Sequence, residues 1–486
     1  MALTLLIFLP LIAAIILMTL KTRHARTFAA FAAFAALLIN LWVAFQFRTD
    51  ASVQFETDAS WISSLGIRYH VGLDGISLLL VLLTTGLTPF IILASDTTRS
   101  RSFYALILVM EMALVGVFSA LDGFLFYIFW ELALIPIYIL CLRWGAANSG
   151  VITLKFFIYT LAGSLLMLVA LIYVYFHTPA PHTFDIQALY DAARGLPAGH
   201  QRMVFWALFI AFAIKMPVFP FHTWQPDTYQ AAPAQGTMLL SGIMLKMGVY
   251  GLIRWLIPLV PQGVQSEGTT ALTLAVIGIV FASCIAIVQK DLKRLVAYSS
   301  MAHVGLIAAG ILTLDRIGIQ GAMIQMISHG IIVVALFYVI DIIQSRLNTE
   351  DMTSLGAIRL EAPVFSTVFM IVLLGSIALP LTSGFVGEFM LINSLFRFDS
   401  WLGVFGALTM ILGAVYMLRS YQVTVLGEER EAAGLFADLT TRERVVLYPL
   451  VLLVLVLGVF PSPVLKVSEA AVDSMVTILQ QYYTMR

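Results

Sequence analysis

Charged residues are scarce in this sequence of 486 residues: they make up 11% of it, whereas about a quarter is usual in a globular domain. Apolar residues make up 60%, and the mean hydropathy is +0.96. A chain in water could not bury so much apolar surface, so the composition excludes an ordinary soluble domain and indicates an integral membrane protein. The formal net charge is zero, which gives no electrostatic argument for nucleic acid as a partner.

Cysteine is nearly absent as well. The two cysteines, Cys141 and Cys284, lie in separate apolar runs, which excludes a disulfide framework and a cysteine-ligated metal site or iron–sulfur cluster. The sequence also lacks a phosphate-binding P-loop and a glycine-rich dinucleotide fingerprint. We therefore expect no cofactor in this chain, and any energy source must be another subunit or an ion gradient.

Long apolar runs are abundant instead. A membrane-spanning helix needs about 20 mostly apolar residues. We predict an all-α polytopic membrane protein of about 14 spans: 2–20, 28–47, 73–93, 102–120, 122–142, 151–176, 202–224, 231–258, 270–289, 293–314, 317–344, 363–396, 402–426 and 443–460. The first run has no basic segment before it and no small-residue cleavage site after it, so we interpret it as a retained span. The mixed tail at 461–486 is expected to lie along the membrane interface.

Lysine and arginine are more frequent in the loops after odd-numbered spans than in the loops after even-numbered spans. By the positive-inside rule the odd loops face the cytoplasm, and both termini are predicted to be periplasmic in a bacterial inner membrane. The predicted organisation is a three-span segment at 1–101, two repeats at 102–258 and 270–426, and a final span with the tail at 427–486.

Ionisable residues nevertheless recur deep within the predicted spans. A lysine or aspartate at a helix centre costs about 2.5–3.5 kcal/mol on insertion scales, so such residues are functional candidates by default. The candidates that carry a titratable group well inside a span, or beside a break in one, are Glu111, Glu131, Lys215, His222, Lys246, His303, His329 and Glu388. A row of such groups on neighbouring helices is suited to passing protons along the membrane.

Two structural interpretations remain open for these residues. The lysines and glutamates could form static ion pairs in a membrane scaffold that transports nothing, and a histidine on an apolar helix is often a satisfied core residue. Three other basic residues, Lys155, Arg254 and Arg419, lie within a turn or two of a span end, where snorkelling to the interface explains them.

Two spans contain helix breakers beside a buried charge. Pro217 and Pro220 follow Lys215, and Pro380 and Gly384 precede Glu388. Proline removes a backbone donor and clashes with the preceding turn, so each break frees carbonyl groups that protein or water must satisfy. The breaks fall in spans 7 and 12, which run in opposite directions, and this predicts two inverted five-helix repeats, spans 4–8 and 9–13, each with a broken helix.

Five segments together resemble the antiporter-like subunits of respiratory complex I, the NADH:quinone oxidoreductase. They are FWELALIPIYIL at 129–140, AIKMPVFPFHTWQPD at 213–227, SGIMLKMGVYGLIR at 241–254, QKDLKRLVAYSSMAHVG at 289–305 and GFVGEF at 384–389. Two features resemble the M-type subunit of that family: the second broken span carries a glutamate, and the chain has 486 residues. Mrp-type sodium/proton antiporter subunits and membrane-bound hydrogenases share the same plan and remain the nearest alternatives, while a solute carrier lacks support.

The resemblance implies that the chain moves protons in the membrane arm. A Glu131–Lys215 pair would release a proton toward Lys246, and the two histidines of spans 10 and 11 would pass it on to Glu388, with Glu111 as an accessory carboxylate. The resemblance also implies that flavin, iron–sulfur clusters and quinone belong to partner subunits, and that L-type and N-type antiporter-like subunits, membrane lipid and protons are the partners.

Overall fold

The computed structural model describes residues 1–19, 24–428 and 436–484. Four of the basic residues counted in the loops lie outside the described residues: Lys21, Arg23, Arg430 and Arg486. The first helices are α1 (Ala2–Thr19), α2 (Ala25–Gln46), α3 (Gly75–Ala94), α4 (Arg101–Ser119), α5 (Gly123–Trp144), α6 (Ser149–Tyr175), α7 (Ile186–Arg194), α8 (Ala198–Lys215), α9 (Gln225–Ala231) and α10 (Ala234–Leu239). They are followed by α11 (Leu245–Gly251), α12 (Pro261–Val288), α13 (Leu292–Leu312), α14 (Arg316–Leu347), α15 (Ile358–Glu361), α16 (Pro363–Ser376), α17 (Ser383–Phe398), α18 (Ser400–Val425), α19 (Thr441–Val459) and α20 (Ser462–Thr484).

The predicted all-α, multi-pass architecture is confirmed. Within the described ranges, 11 helices are long and apolar enough to cross a membrane, and the bent pair α19 and α20 raises this to 12. The predicted span at 363–396 is divided into α16 and α17. In the predicted span at 202–224 the helix ends at Lys215, and α9 begins at Gln225, beyond the predicted end of that span. The count of 14 spans and the inverted repeats remain predictions.

The helices that carry the buried charges form the centre of the bundle. Nearly every residue from Ala234 to Leu256, the segment that contains α10 and α11, is buried, and the same holds for α13 and α14. By contrast α1, α2, α6 and α18 leave most of their residues uncovered. Apolar residues around these peripheral helices can face lipid, whereas ionisable groups at the centre are enclosed by protein.

One element has no counterpart among the predicted helices. An antiparallel hairpin of β1 (Gln54–Ile62) and β2 (Ile67–Leu73) lies between α2 and α3. Asp74 follows β2 and caps α3, accepting hydrogen bonds from the backbone N–H groups of Ile76 and Ser77. We refer to the end of the bundle that carries this hairpin, α7 and α20 as the hairpin face.

The C-terminal tail is helical and bends away from the last span. Helix α20 makes an angle of 65° with α19 and packs across α3 and α14. The hydroxyl of Tyr483 donates to the carbonyl of Pro261 at 3.1 Å. This arrangement is compatible with the predicted interfacial tail.

Candidate functional site

Lys246 lies in a helix whose hydrogen bonding changes on both sides of it. The α-helical turns of α11 are bracketed by π-helical turns at Leu240–Met244 and Leu252–Leu256. Such bulges are rare and frequently occur at functional sites. The Nζ of Lys246 donates to the carbonyl of Ser241 at 2.8 Å, and the lysine is 1% exposed.

The same ammonium group meets a histidine from another helix. Nζ of Lys246 lies 2.8 Å from Nδ1 of His329 on α14, and Nε2 of His329 lies 3.0 Å from the hydroxyl of Ser300 on α13. A lysine ammonium has only donors, so Nδ1 accepts while Lys246 is charged and Nε2 carries the proton of the neutral ring. This histidine therefore has a donor on one side and a hydroxyl acceptor on the other.

A second histidine pairs with the glutamate of the broken span. Nδ1 of His303 lies 2.8 Å from Oε1 of Glu388, and the side-chain amide of Gln325 donates to the same oxygen at 3.2 Å. Both ionisable side chains are almost completely buried. The carboxylate therefore has a cationic partner whenever His303 is protonated.

A small cavity lies between the two histidines, whose ring centroids are 6.0 Å apart. Its volume is about 20 Å³, and its lining includes Ser299, Ser300, His303, Gln325, His329 and Glu388. This volume is sufficient for about one water molecule. Both ring nitrogens of His303, Oε1 of Gln325 and Oε2 of Glu388 have no hydrogen-bond partner among the described residues, since the 2.8 Å contact of Nδ1 with Glu388 is not aligned as a hydrogen bond. The site therefore has both the space and the polar atoms that a bridging water needs.

Backbone geometry at the second break fixes the position of Glu388. Between α16 and α17, Ala378 and Leu381 adopt positive φ values of 56° and 73°, which are strained for residues with a side chain. A Cβ on Gly384 would collide with the carbonyl oxygen of Gly375, so only glycine permits this approach. Glu388 follows one turn after Gly384 and points into the bundle.

The structure does not bring Glu131 and Lys215 into a direct ion pair. The two side chains are not within 4.0 Å, and Oε1 of Glu131 and Nζ of Lys215 have no hydrogen-bond partner in the described ranges. Nζ of Lys215 lies instead 5.3 Å from the ring centroid of Trp130, a cation–π contact.

Protein groups satisfy part of the first break. Helix α8 ends at Lys215, and the indole N–H of Trp224 donates to the carbonyl of Ile214 at 2.9 Å. Lys155 donates to the carbonyl of Thr223 at 2.9 Å. His222 lies beside Phe219 and the lipid-side helix α12, and Nδ1 of its ring has no partner among the described residues.

Two of the predicted residues remain apart from this network. His222 makes aromatic contacts rather than contacts to Lys215. Glu111 on α4 is fully buried, and neither of its carboxyl oxygens has a hydrogen-bond partner in the part of the chain that is described. Its carboxylate therefore does not contact Glu131, which it was expected to assist.

Several polar groups of this candidate site were missed by the sequence analysis. Ser300 lies three residues before His303, and Gln325 lies four residues before His329, so each shares a helix face with a predicted histidine. Arg254 differs from its predicted snorkelling: its side chain is 17% exposed and forms an ion pair with Asp74 inside the protein. Within the described residues, no three His, Cys, Asp or Glu side chains are grouped so that they could hold a metal ion.

Comparison with known proteins finds relatives over most of the chain. Residues 120–413 match the family described as "NADH:quinone oxidoreductase/Mrp antiporter, TM". The chain is 39% identical over 431 residues to NADH-quinone oxidoreductase subunit M of Rickettsia conorii. The aligned region covers 88% of this chain and 87% of that protein. It is 34% identical over 481 residues to NADH-ubiquinone oxidoreductase chain 4 of Marchantia polymorpha, covering 97% and 96%.

A solved structure extends the similarity to three dimensions. A chain of respiratory complex I from Thermus thermophilus superposes with a TM-score of 0.92 at 28% sequence identity. The superposition covers 99% of this chain and 100% of the other. The similarity of fold thus extends over nearly the whole chain.

Proposed function

The chain belongs to the NADH:quinone oxidoreductase/Mrp antiporter transmembrane family, among the proton-pumping M-type subunits, and we propose that its buried Glu, Lys and His residues carry the protons. In this proposal the chain itself performs no redox chemistry. Quinone reduction in other subunits supplies the free energy, and this chain converts that energy into proton movement.

The single observation that carries the proposal is the contact between Lys246 and His329. The 2.8 Å separation lets the ammonium group of Lys246 transfer a proton to Nδ1 of the ring, after which the ring releases its other proton from Nε2. Lysine suits this role because burial readily changes its protonation, whereas arginine stays charged. A static ion pair would place a carboxylate beside Lys246, and none lies within 4.0 Å among the described residues.

The onward path runs through the cavity between the histidines. The Nε2 proton of His329 passes to the hydroxyl of Ser300, whose own proton moves through a cavity water to Nε2 of His303. Nδ1 of His303 lies 2.8 Å from Glu388 but is not aligned for a hydrogen bond, so in this proposal the ring reorients before it delivers a proton from Nδ1 to Glu388. Each transfer moves one proton. Each side chain along the path gains one proton and gives up another, so it returns to its starting protonation state when the cycle is complete.

The first part of the path depends on Lys215. Its contact with Trp130 stabilises the ammonium form, and its Nζ makes no direct hydrogen bond that would hold the proton in place. We infer that Glu131 influences Lys215 through its charge and through water. A change in the position or protonation of Glu131 then changes how readily Lys215 releases its proton toward Lys246.

The proposed setting follows from the family. The chain is a multi-pass subunit that contacts other membrane subunits, and we propose that L-type and N-type antiporter-like subunits are its neighbours in a bacterial inner membrane, with both termini periplasmic. Flavin, iron–sulfur clusters and quinone would be bound elsewhere in the complex. Purification with the neighbouring subunits distinguishes this assembly from an Mrp-type antiporter.

The test compares two buried lysines in the assembled complex. Lys246→Arg keeps the positive charge but cannot release a proton, so NADH-driven proton pumping into vesicles should be lost. Lys293→Arg is the matched control, because Lys293 is also buried and donates to the carbonyl of Ala232 at 2.8 Å but contacts no histidine. Pumping at the normal rate in the assembled Lys246→Arg complex would refute the role of Lys246.

A further inference from the structure

Polar groups continue from Lys246 toward the hairpin face. Tyr250 and Arg254 follow at intervals of four residues, which places them on one side of the helix about 12 Å along it at 1.5 Å per residue. The hydroxyl of Tyr250 lies 3.3 Å from the hydroxyl of Ser77 on α3, and Nη2 of Arg254 lies 3.5 Å from the same hydroxyl. These side chains form a polar path from Tyr250 to the end of the helix. Lys246 lies one turn before it, and among the described residues no hydrogen bond joins Lys246 to this path.

The path ends at a buried ion pair. Nη2 of Arg254 contacts Oδ2 of Asp74, and the two side chains are 17% and 7% exposed. The other carboxylate oxygen of Asp74 caps α3 through the N–H groups of Ile76 and Ser77, at 3.1 and 2.9 Å. A buried ion pair is weak evidence of stabilisation, because the cost of removing both charges from water offsets their attraction. The position of this pair therefore suggests another role.

Beyond the pair the protein opens into a cavity of about 160 Å³ at the hairpin face. Its lining includes Asp74, Arg254, Tyr190 and Arg194, together with Ala51 before the hairpin and Met475 on α20. The side chain of Arg194 is held by the carbonyl of Pro258 at 3.0 Å. The Asp74–Arg254 pair thus lies between this cavity and the hydroxyl groups of Ser77 and Tyr250, and Lys246 is one turn further along the helix.

We propose that the Asp74–Arg254 pair is a seal that keeps water in the cavity at the hairpin face from reaching Lys246. The inference depends on the proposed function, since a seal matters only if Lys246 carries protons. The ion pair fills the end of the polar path, so water molecules cannot form a continuous chain through it. Without it, protons would cross between the cavity and Lys246 independently of quinone reduction.

The first experiment measures passive proton leak in vesicles that contain the whole complex, under an imposed pH gradient and without NADH. Asp74→Asn should accelerate the decay of the gradient several-fold, because asparagine keeps the helix cap but removes the charge. Arg254→Lys keeps the charge and should leak much less than Asp74→Asn.

Glu443→Gln is the matched control. Glu443 forms a comparably buried ion pair with Arg346 at 2.7 Å, with side chains 9% and 12% exposed, and glutamine likewise keeps its capping box. This variant should not leak. Equal decay rates in Asp74→Asn, Glu443→Gln and the unaltered complex, together with an unreactive cysteine at position 77 in the labelling experiment below, would overturn the proposal.

The second experiment tests the seal without relying on proton transfer. In vesicles that expose the hairpin face, a membrane-impermeant thiol reagent should label Ala51→Cys in the cavity but not Ser77→Cys behind the pair. Adding Asp74→Asn should make the cysteine at position 77 reactive. If it stays unreactive, the pair is not the seal. If it becomes reactive without any proton leak, the seal stands and the role of Lys246 in proton transfer is contradicted.

Discussion

Removing the hydroxyl of Ser300 should slow proton pumping more than removing its neighbour Ser299. Ser300 lies 3.0 Å from Nε2 of His329, so Ser300→Ala leaves a buried N–H without its acceptor. An unsatisfied buried donor costs about 1–3 kcal/mol, which corresponds to about 5- to 150-fold in an equilibrium constant. Since a water in the adjoining cavity can replace part of the lost bond, we expect the lower end, about fivefold.

Ser299→Ala is the control for structural damage. Ser299 is as buried as Ser300, lines the same cavity and accepts a hydrogen bond from the hydroxyl of Tyr416 at 3.1 Å. Its removal also leaves a buried donor unsatisfied, so the two variants should lose similar amounts of stability. Only Ser300, however, contacts a relay histidine.

The assay is NADH-driven acidification of vesicles, with NADH:quinone turnover and the amount of assembled complex measured in the same preparations. Ser300→Ala should pump about fivefold more slowly per assembled complex, following the bond estimate above, while Ser299→Ala remains close to the unaltered rate. Ser300→Thr keeps a hydroxyl and should restore pumping. Equal pumping in both alanine variants would refute the assignment of Ser300 to the relay.

Three further predictions follow. Lys215→Arg should preserve the cation–π contact with Trp130 and assembly but abolish pumping, since arginine does not release its proton; normal pumping would exclude Lys215 from the relay. Glu131→Ala should depress both pumping and quinone-linked turnover at full assembly, and unchanged activity would remove Glu131 from the mechanism. At the hairpin, burial lowers the pKa of His70, but hydrogen bonds to Asp185 and Glu56 outweigh it, so the pKa is raised. These contacts therefore stabilise the hairpin fully at pH values below the pKa of histidine in the unfolded chain, about 6.5, and the stabilisation is lost as the pH rises through the folded pKa. Hydrogen exchange over residues 54–73 should increase across that pH range. His70→Gln should remove this pH dependence.

Apolar run length and helix breakers were sufficient to predict the architecture. Continuous apolar segments require backbone hydrogen bonds within each segment, so helices follow directly from composition. Pro217, Pro220 and Pro380 likewise predicted where two spans divide, since proline cannot continue the hydrogen-bond ladder. The hairpin at 54–73 was not predicted, because its residues show neither a long apolar run nor a tight two-residue turn signal.

Contacts between distant helices are the part that the sequence could not supply. Lys246 and His329 are 83 residues apart, and their nitrogens meet because α10 and the π-helical turn Leu240–Met244, just before α11, pack against α14. Arg254 illustrates the opposite error: its position near a span end suggested snorkelling, but Asp74, on a separate helix start, holds it inside. Depth in a span can be read from sequence, whereas the identity of a side chain's partner depends on the tertiary packing.

The most direct test of the account is a density map of the assembled complex that resolves ordered water. The account predicts water within hydrogen-bond distance of Nζ of Lys215, and a water in the cavity that connects Ser300 with His303. These waters would join the side chains that have no protein partner into a continuous route from Lys215 to Glu388. A map in which those side chains occupy isolated contacts, with no hydrated connection between them, would contradict the account.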